Sequence, residues 1–330
     1  MENRKKDHIE LAFESQTLKD QIDRRFYYEP VLNPHPAKDL GEFSFGDKKM
    51  KVPIWVSSMT GGTKLAGKIN ANLARACNEF GMGMGLGSCR IIMDDNTYFE
   101  DFNVRDIIGN QYPLYTNLGI AQVEELIDEN ETGKIKDLIK KLRADGLIIH
   151  VNPLQEWFQP EGDRLKYSPL DTIKRLLDVA NYPVIVKEVG QGMGYNSLRE
   201  LLKLPLLAIE FAAFGGTNFA KLELMRSPKT KQELFEPLSK VGHDVYQMLS
   251  LVNRIYEEEK IQTRQLIISG GVKSFLDGYY LINKSTLPAV YGMASGFLKY
   301  AKESYEELKE YTEFQIKGLH LAYNYLKINE

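Results

Sequence analysis

The 330-residue chain has little of what most quickly betrays a function. It has two cysteines, Cys77 and Cys89. These are too few for a disulfide framework and lack the paired Cys/His spacing of a zinc site, so they read as free thiols in a reducing compartment. No apolar run approaches the ~18 residues of a membrane span. The stretch from Met1 to Lys19 is charged throughout and lacks the apolar segment of a secretory leader. Charge of one sign is also missing: 42 Lys+Arg against 45 Asp+Glu leave a formal net charge of -3. That balance creates no field to gather nucleic acid or an anionic membrane, so any bound anion must be held by a local site. Internal repeats and low-complexity tracts are absent too. What remains, 43% hydrophobic and 26% charged, is the composition of a globular protein, expected to be soluble and cytoplasmic.

From Val52 onward one alternation dominates. Short apolar runs rich in branched residues are each followed by a loop with Gly, Ser, Thr or Asn, and then by a charged helical pattern. The runs fall at 54–58, 82–86, 114–118, 147–151, 184–189, 206–211, 265–269 and 289–292. Near-continuous apolar runs suit parallel strands covered on both faces. Eight of them alternating with helices predict a TIM (β/α)8 barrel, a single domain over 1–330. Residues 1–50 are expected to form an N-terminal arm and barrel floor. That segment begins with helical spacing over 4–19, and a hairpin turn follows at Phe43, Ser44, Phe45, Gly46, Asp47 and Lys48. The connection 218–264 after the sixth strand is long, with a charged stretch and then a helix carrying Val241, Val245, Leu249 and Val252 on one stripe. It reads as an insertion able to close over the mouth. A helix over 304–327 should pack on the barrel or on a neighbouring subunit.

In such barrels the active site lies at the C-terminal ends of the strands. Here those ends carry Ser58, Met59 and Thr60; Ser88 and Arg90; Asn117; His150, Asn152, Gln155 and Glu156; Lys187 and Glu188; Gly215, Gly216 and Thr217; Gly270 and Gly271; and Met293 and Ala294. A glycine pair alone is what any turn uses. The Gly-Gly after strand seven together with the turn into a helix after strand eight matches a phosphate site, where backbone N–H groups at a helix start face the anion. Lys187 closes an otherwise apolar strand. It either pairs with Glu188 or meets an anion or polar cofactor. His150 and Asn152 share a strand face. Glu156, one carboxylate among amides, suits a hydrated Mg²⁺ bridging phosphates, or simply a helix start. Arg4 and Lys5, with Lys6, read by themselves as a solvated basic run.

Taken together and in this order, these residues resemble the type 2 isopentenyl diphosphate isomerase family, enzymes that use flavin mononucleotide (FMN). The likeness runs from Arg4 to about Ala301. It includes Arg4, Lys5 and His8; Ser58, Met59, Thr60, Gly61 and Gly62; the distinctive stretch from His150 to Glu156 with Gln159, Pro160, Glu161, Gly162 and Asp163; Val186 to Gly190; and Gly215 to Thr217. The resemblance implies that Ser58, Met59, Thr60, Ser88, Asn117, Lys187 and Thr217 line the flavin, while Gly270, Gly271, Met293 and Ala294 hold its phosphate. It implies that Arg4, Lys5, Arg90, His150, Asn152 and Gln155 contact the substrate, chiefly its diphosphate, and that Glu156 binds Mg²⁺. The implied reaction interconverts isopentenyl and dimethylallyl diphosphate. Reduced FMN acts as acid and base, NADPH or NADH is the reductant, and Gln155 positions or relays a proton. A homo-oligomer, tetramer or octamer, is implied, with the basic pair at the N-terminus reaching a neighbour's site.

This sequence departs from the family at Cys89, where Gln or Met is frequent, and at Gly194, where Ser is common. Asn218 and Phe219 stand in place of a Ser-Trp pair, and Phe275 in place of a glycine. Two other readings share the flavin half: an FMN-dependent 2-hydroxy acid oxidase or dehydrogenase, and a non-catalytic flavin-binding homologue. The first needs a histidine base and arginines near the seventh strand end, where this chain has Lys273 and no histidine.

Overall fold

The computed structural model describes residues 2–329 apart from Lys38 and Met59, with only the backbone given for Glu2 and Asn3. Eight parallel strands close into a barrel. In chain order they are β1 (Ile54–Val56), β2 (Gly83–Gly85), β3 (Leu114–Gly119), β4 (Gly146–His150), β5 (Val184–Lys187), β6 (Ala208–Glu210), β7 (Gln265–Ser269) and β8 (Ala289–Met293). Each pairs with its sequence neighbours, and β8 closes on β1 through Tyr291↔Ile54 to Met293↔Val56. The predicted barrel is borne out. The runs 82–86 and 206–211 shrink at both ends, to Gly83–Gly85 and Ala208–Glu210.

Side chains alternate across each strand. Ile54, Val56, Leu147, Ile149, Val184, Val186, Leu266 and Ile268 face out and join the helices in the large outer core. Trp55, Ile148, Ile185, Ala208, Ile267 and Val290 face in and fill the barrel. The period of two then fixes the next inward layer toward the C-terminal ends: Ser57, Asn117, His150, Lys187, Glu210, Ser269 and Gly292. Apolar in the middle and polar at one rim, the interior is polarised by register alone.

The opposite end is sealed. A hairpin of Phe43–Phe45 and Lys48–Met50 lies across the N-terminal ends of the strands. Phe45 enters the barrel, its ring centroid 4.7 Å from that of Trp55 and 6.0 Å from that of Tyr115. The Gln265 amide clamps the turn: its oxygen accepts from Gly46 N at 2.8 Å and its nitrogen donates to Ser44 O at 2.7 Å.

The arm differs from expectation. Its helix stops at Glu10 rather than near Lys19, and Ile9 and Phe13, which carried the helical spacing, are 73% and 80% exposed. Phe26–Tyr28 then pairs antiparallel with Leu326–Ile328, tying the arm to the end of the last helix, Tyr305–Tyr325. The long connection after β6 folds into three helices, Phe219–Arg226, Lys229–Ser239 and Val245–Glu258. The third starts at an Asp244 cap that accepts from Tyr246 N and Gln247 N. Val241 therefore lies before that helix, 65% exposed, and not on its buried stripe with Val245, Leu249 and Val252. Among the described residues no helix is long and apolar enough to cross a membrane.

Candidate active site

Two adjoining cavities open at the C-terminal rim. The first, about 320 Å³, is lined at depth by Ser57, Ser58, Lys187, Glu210, Ser269 and Gly292, and nearer the rim by Gly215 to Thr217, Gly270, Gly271 and Met293 to Gly296. The second, about 250 Å³, is lined by Asn152, Gln155, Glu188, Gly192 and His243 among others, and it shares Val189 with the first.

The floor of the first cavity is unusually polar for a barrel interior. Lys187 is 6% exposed and Glu210 0%. They are directly paired in register on β5 and β6. The Lys187 ammonium donates to Glu188 O at 2.9 Å. Of the two alternatives for Lys187, the side-chain pairing with Glu188 does not form, because that carboxylate is used elsewhere. Its Oε2 accepts from the backbone N–H groups of Gly190, Gln191 and Gly192 at 2.6, 2.6 and 2.8 Å. Burial outweighs these bonds and pushes the Glu188 carboxyl above its ordinary pKa. Among the described residues, three buried oxygens in this cavity have no hydrogen-bond partner: Ser57 Oγ, Ser58 Oγ and Glu210 Oε2. Buried polar groups are nearly always paired, so a cluster of unpaired ones marks a place built for a ligand.

The rim supplies backbone donors. Gly270 and Gly271 have φ of +89° and +74°, the left-handed region that favours glycine, and a Cβ on Gly270 would lie 2.0 Å from Ala213 N. Beside them the chain turns at Met293 and Ala294 into the helix Ser295–Ala301. The two turns sit side by side because β7 and β8 are paired.

His150 crowns β4. Its Nδ1 lies 2.7 Å from Asn117 Oδ1, and Asn117 Nδ2 donates to Leu86 O at 3.1 Å. With the amide so oriented, Nδ1 carries the proton and Nε2 is left as an acceptor. Burial, and secondarily the Lys187 ammonium, push its pKa down to about 3. The imidazole is therefore neutral across the physiological range. Beyond it, Pro153–Phe158 forms a short helix. Asn152 Nδ2 donates to Gln155 Oε1 at 3.1 Å and to Glu156 Oε1 at 2.9 Å, while Asp163 N donates to Glu156 Oε2 at 3.0 Å. Asp163 Oδ2 also accepts from Arg90 Nη1 at 2.9 Å and Gln122 Nε2 at 3.0 Å. Asn152, Gln155, Glu156, Asp163 and Arg90 thus form one hydrogen-bonded cluster, in which Asn152 Oδ1 is buried without a partner.

Searched against protein-family models, the chain matches none. Among curated proteins it is 33% identical to the isopentenyl-diphosphate delta-isomerase of Rickettsia felis over 324 residues, 97% of this chain and 91% of that protein. It is 31% identical to the enzyme of the same name from Rickettsia typhi, over 97% of this chain and 92% of that one. The chain belongs to the isopentenyl-diphosphate delta-isomerase family. The barrel itself is shared more widely. The flavin-binding domain of baker's yeast flavocytochrome b2 superposes with a TM-score of 0.60 at 13% identity, over 89% of this chain and 71% of that one. A mandelate oxidase variant carrying an FMN adduct superposes with a TM-score of 0.57 at 10% identity, over 92% and 88%. At such identities these structures show the fold alone.

For an isopentenyl-diphosphate isomerase-family chain, most of the residues singled out in the sequence do converge. Ser58, Lys187, Thr217, Gly270, Gly271, Met293 and Ala294 line the first cavity, and Asn152 and Gln155 the second. Asn117 and His150 line neither cavity but hydrogen-bond each other, His150 being the register neighbour of Lys187. Thr60 and exposed Ser88 lie on the loops after β1 and β2. Met59 lies outside the described residues. Arg4 and Lys5 stay apart on an exposed helix, where among the described residues the one ion pair is Lys6–Glu10. Of the departures from the family, Phe219 lines the first cavity. Phe275 packs against Gly318 of the last helix, where a Cβ would meet its ring at 2.4 Å. Cys89 is fully buried in the outer core. Glu210 and Ser57 were not singled out in the sequence, whereas Ser269 was read as the polar end of the seventh strand. A carboxylate inside an apolar run, in phase with Lys187 on the next strand, was the signal for the first of them.

Proposed function

We propose that the chain is a type 2, FMN-dependent isomerase interconverting isopentenyl and dimethylallyl diphosphate. Family membership supports the reaction, and the observation that carries the flavin assignment is the first cavity. It joins two backbone-lined turns, able to take a phosphate, to a buried polar floor with three unpartnered oxygens and a lysine. The residues present therefore fit a flavin nucleotide. When bound and reduced, FMN supplies the proton donor and acceptor that move the double bond. Lys187 would offer its buried ammonium to negative charge on the reduced cofactor. Backbone N–H groups at Gly270, Gly271 and Ala294 would hold the phosphate. Phe219, on the wall of the first cavity, would shield the bound flavin from water.

The second cavity takes the substrate. Gln155 lines it with its amide oxygen fixed by Asn152, so its NH₂ is the end free to point inward and position a proton or the substrate. Among the described residues no group of three His, Cys, Asp or Glu could hold a metal unaided. Glu156, whose oxygens accept from Asn152 Nδ2 and Asp163 N, would have to turn one of them to a Mg²⁺ that draws its remaining ligands from water and diphosphate oxygens. His150, neutral and with Nε2 unprotonated, adds no positive charge. The diphosphate is held instead by Arg90, by Mg²⁺, and by Arg4 and Lys5 from the arm of a neighbouring subunit. The oxidase reading is disfavoured by the end of β7, which offers Lys273 and no histidine to the cavity.

The test is an anaerobic assay of isopentenyl diphosphate with FMN, NADPH and Mg²⁺, omitting each in turn. Loss of product on every omission is expected. Full turnover without FMN refutes the reading.

A further inference from the structure

Glu210 has no part in the roles assigned so far, yet it is among the most constrained side chains of the cavity. It is fully buried, and a buried carboxylate is costly unless its lone pairs are satisfied. Its Oε1 accepts from Ser269 Oγ at 3.2 Å, a hydroxyl that itself accepts from Ala212 N at 2.9 Å. Its Oε2 has no partner. The obvious counter-charge, Lys187, is its neighbour in register and lines the same cavity, but no ion pair joins them and the ammonium is turned to Glu188 O. A free acceptor and a donor thus flank one space on adjacent strands.

Ser269 locates that space along the cavity. It is the last residue of β7 and directly precedes Gly270 and Gly271. A group touching Glu210 therefore sits one residue's reach from the turn that would hold a phosphate. A planar ring cannot approach so near its own phosphate, but the chain linking the two must pass there. In a flavin nucleotide that linker is a polyol whose hydroxyls can donate to Glu210 Oε2 and accept from Lys187.

We propose that Glu210 is a binding residue for the cofactor's polyol linker, accepting a hydroxyl hydrogen bond on Oε2. This rests on the flavin reading above. The test titrates apoprotein with FMN, riboflavin and lumiflavin, which has the ring but no polyol, following flavin fluorescence. Glu210→Leu should weaken FMN and riboflavin by about ten- to a hundredfold, the loss of a charge-assisted hydrogen bond. Lumiflavin should change by less than about twofold, and the apoprotein should melt no lower than wild type, because an apolar isostere removes a buried charge. Glu210→Gln, which keeps an acceptor of the same shape, should fall between. Equal weakening of lumiflavin, or no weakening of riboflavin, overturns the polyol assignment while leaving the flavin reading intact. Failure of the wild-type protein to bind any of the three removes both.

Discussion

The two ends of the barrel are built from the same eight strands and treat polar groups in opposite ways. At the sealed end most polar side chains are spent on protein partners, the buried Trp55 Nε1 being an exception. Gln265 uses both ends of its amide on the hairpin. Asp145 takes Lys48 and the buried Arg105, and also caps Leu114 N. Arg105 donates in addition to the carbonyls of Arg143, Gly109 and Tyr112. At the open end Ser57, Ser58, Asn152 and Glu210 each keep a buried oxygen unpaired, and Lys187 is held by one carbonyl. Satisfied networks rigidify a fold; unsatisfied ones cost stability and are kept where a ligand completes them. The contrast teaches that the sealed end holds the barrel together, while the open end keeps polar groups that a ligand could satisfy.

The comparison can be broken from either side. The largest effect is expected at the mouth. Gln155→Ala should lower turnover by about 10²–10⁴-fold in steady-state assays while bound flavin and melting temperature stay near wild type; a matched drop in stability would mean the residue belongs to the scaffold. At the other end Trp55→Ala should cost about 3–5 kcal/mol in denaturant unfolding, because Phe45 and Tyr115 lose the ring they pack on. Glu156→Gln should raise the Mg²⁺ concentration for half-maximal activity by at least about tenfold, with little change in flavin retention. Gln265→Ala should cost about 1–3 kcal/mol through the two hairpin bonds it abandons, and leave kcat unchanged.

The smallest effect concerns pH. His150 is held below its unfolded pKa, so between about 3 and the ordinary histidine range the unfolded chain binds more protons than the folded one. Its contribution to stability is then present above the unfolded value and lost as pH falls through that window. His150→Gln should flatten the acid limb of the stability curve. Activity between pH 6 and 8 should show no ionisation attributable to this imidazole. An NMR titration placing His150 near 6.5 contradicts both.

Most of the fold was legible because parallel strands buried on both faces leave apolar runs that no helix period explains. The strand ends were equally plain, since a barrel rim must change abruptly from branched apolar to small and polar residues. What escaped notice depended on distance in sequence or on phase. The pairing of Phe26–Tyr28 with Leu326–Ile328 joins the two ends of the chain, and no local pattern announces it. Val241 was misplaced because its spacing continues the stripe of Val245, while the Asp244 cap that starts the helix lies between them. Glu210 was hidden inside a run read as uniformly apolar. Counting inward positions strand by strand from Trp55 and Ile185 would have put it level with Lys187. The family likeness supplied the expected roles of Arg4 and Lys5, which neither spacing nor the single chain's geometry assigns.

The most direct measurement follows flavin and substrate together. Protein with FMN is reduced anaerobically with dithionite and mixed with isopentenyl diphosphate and Mg²⁺ while flavin absorbance is recorded and product counted. The account predicts many equivalents of dimethylallyl diphosphate per flavin, with the flavin as reduced at the end as at the start. No product, or product only in step with flavin reoxidation, would contradict it.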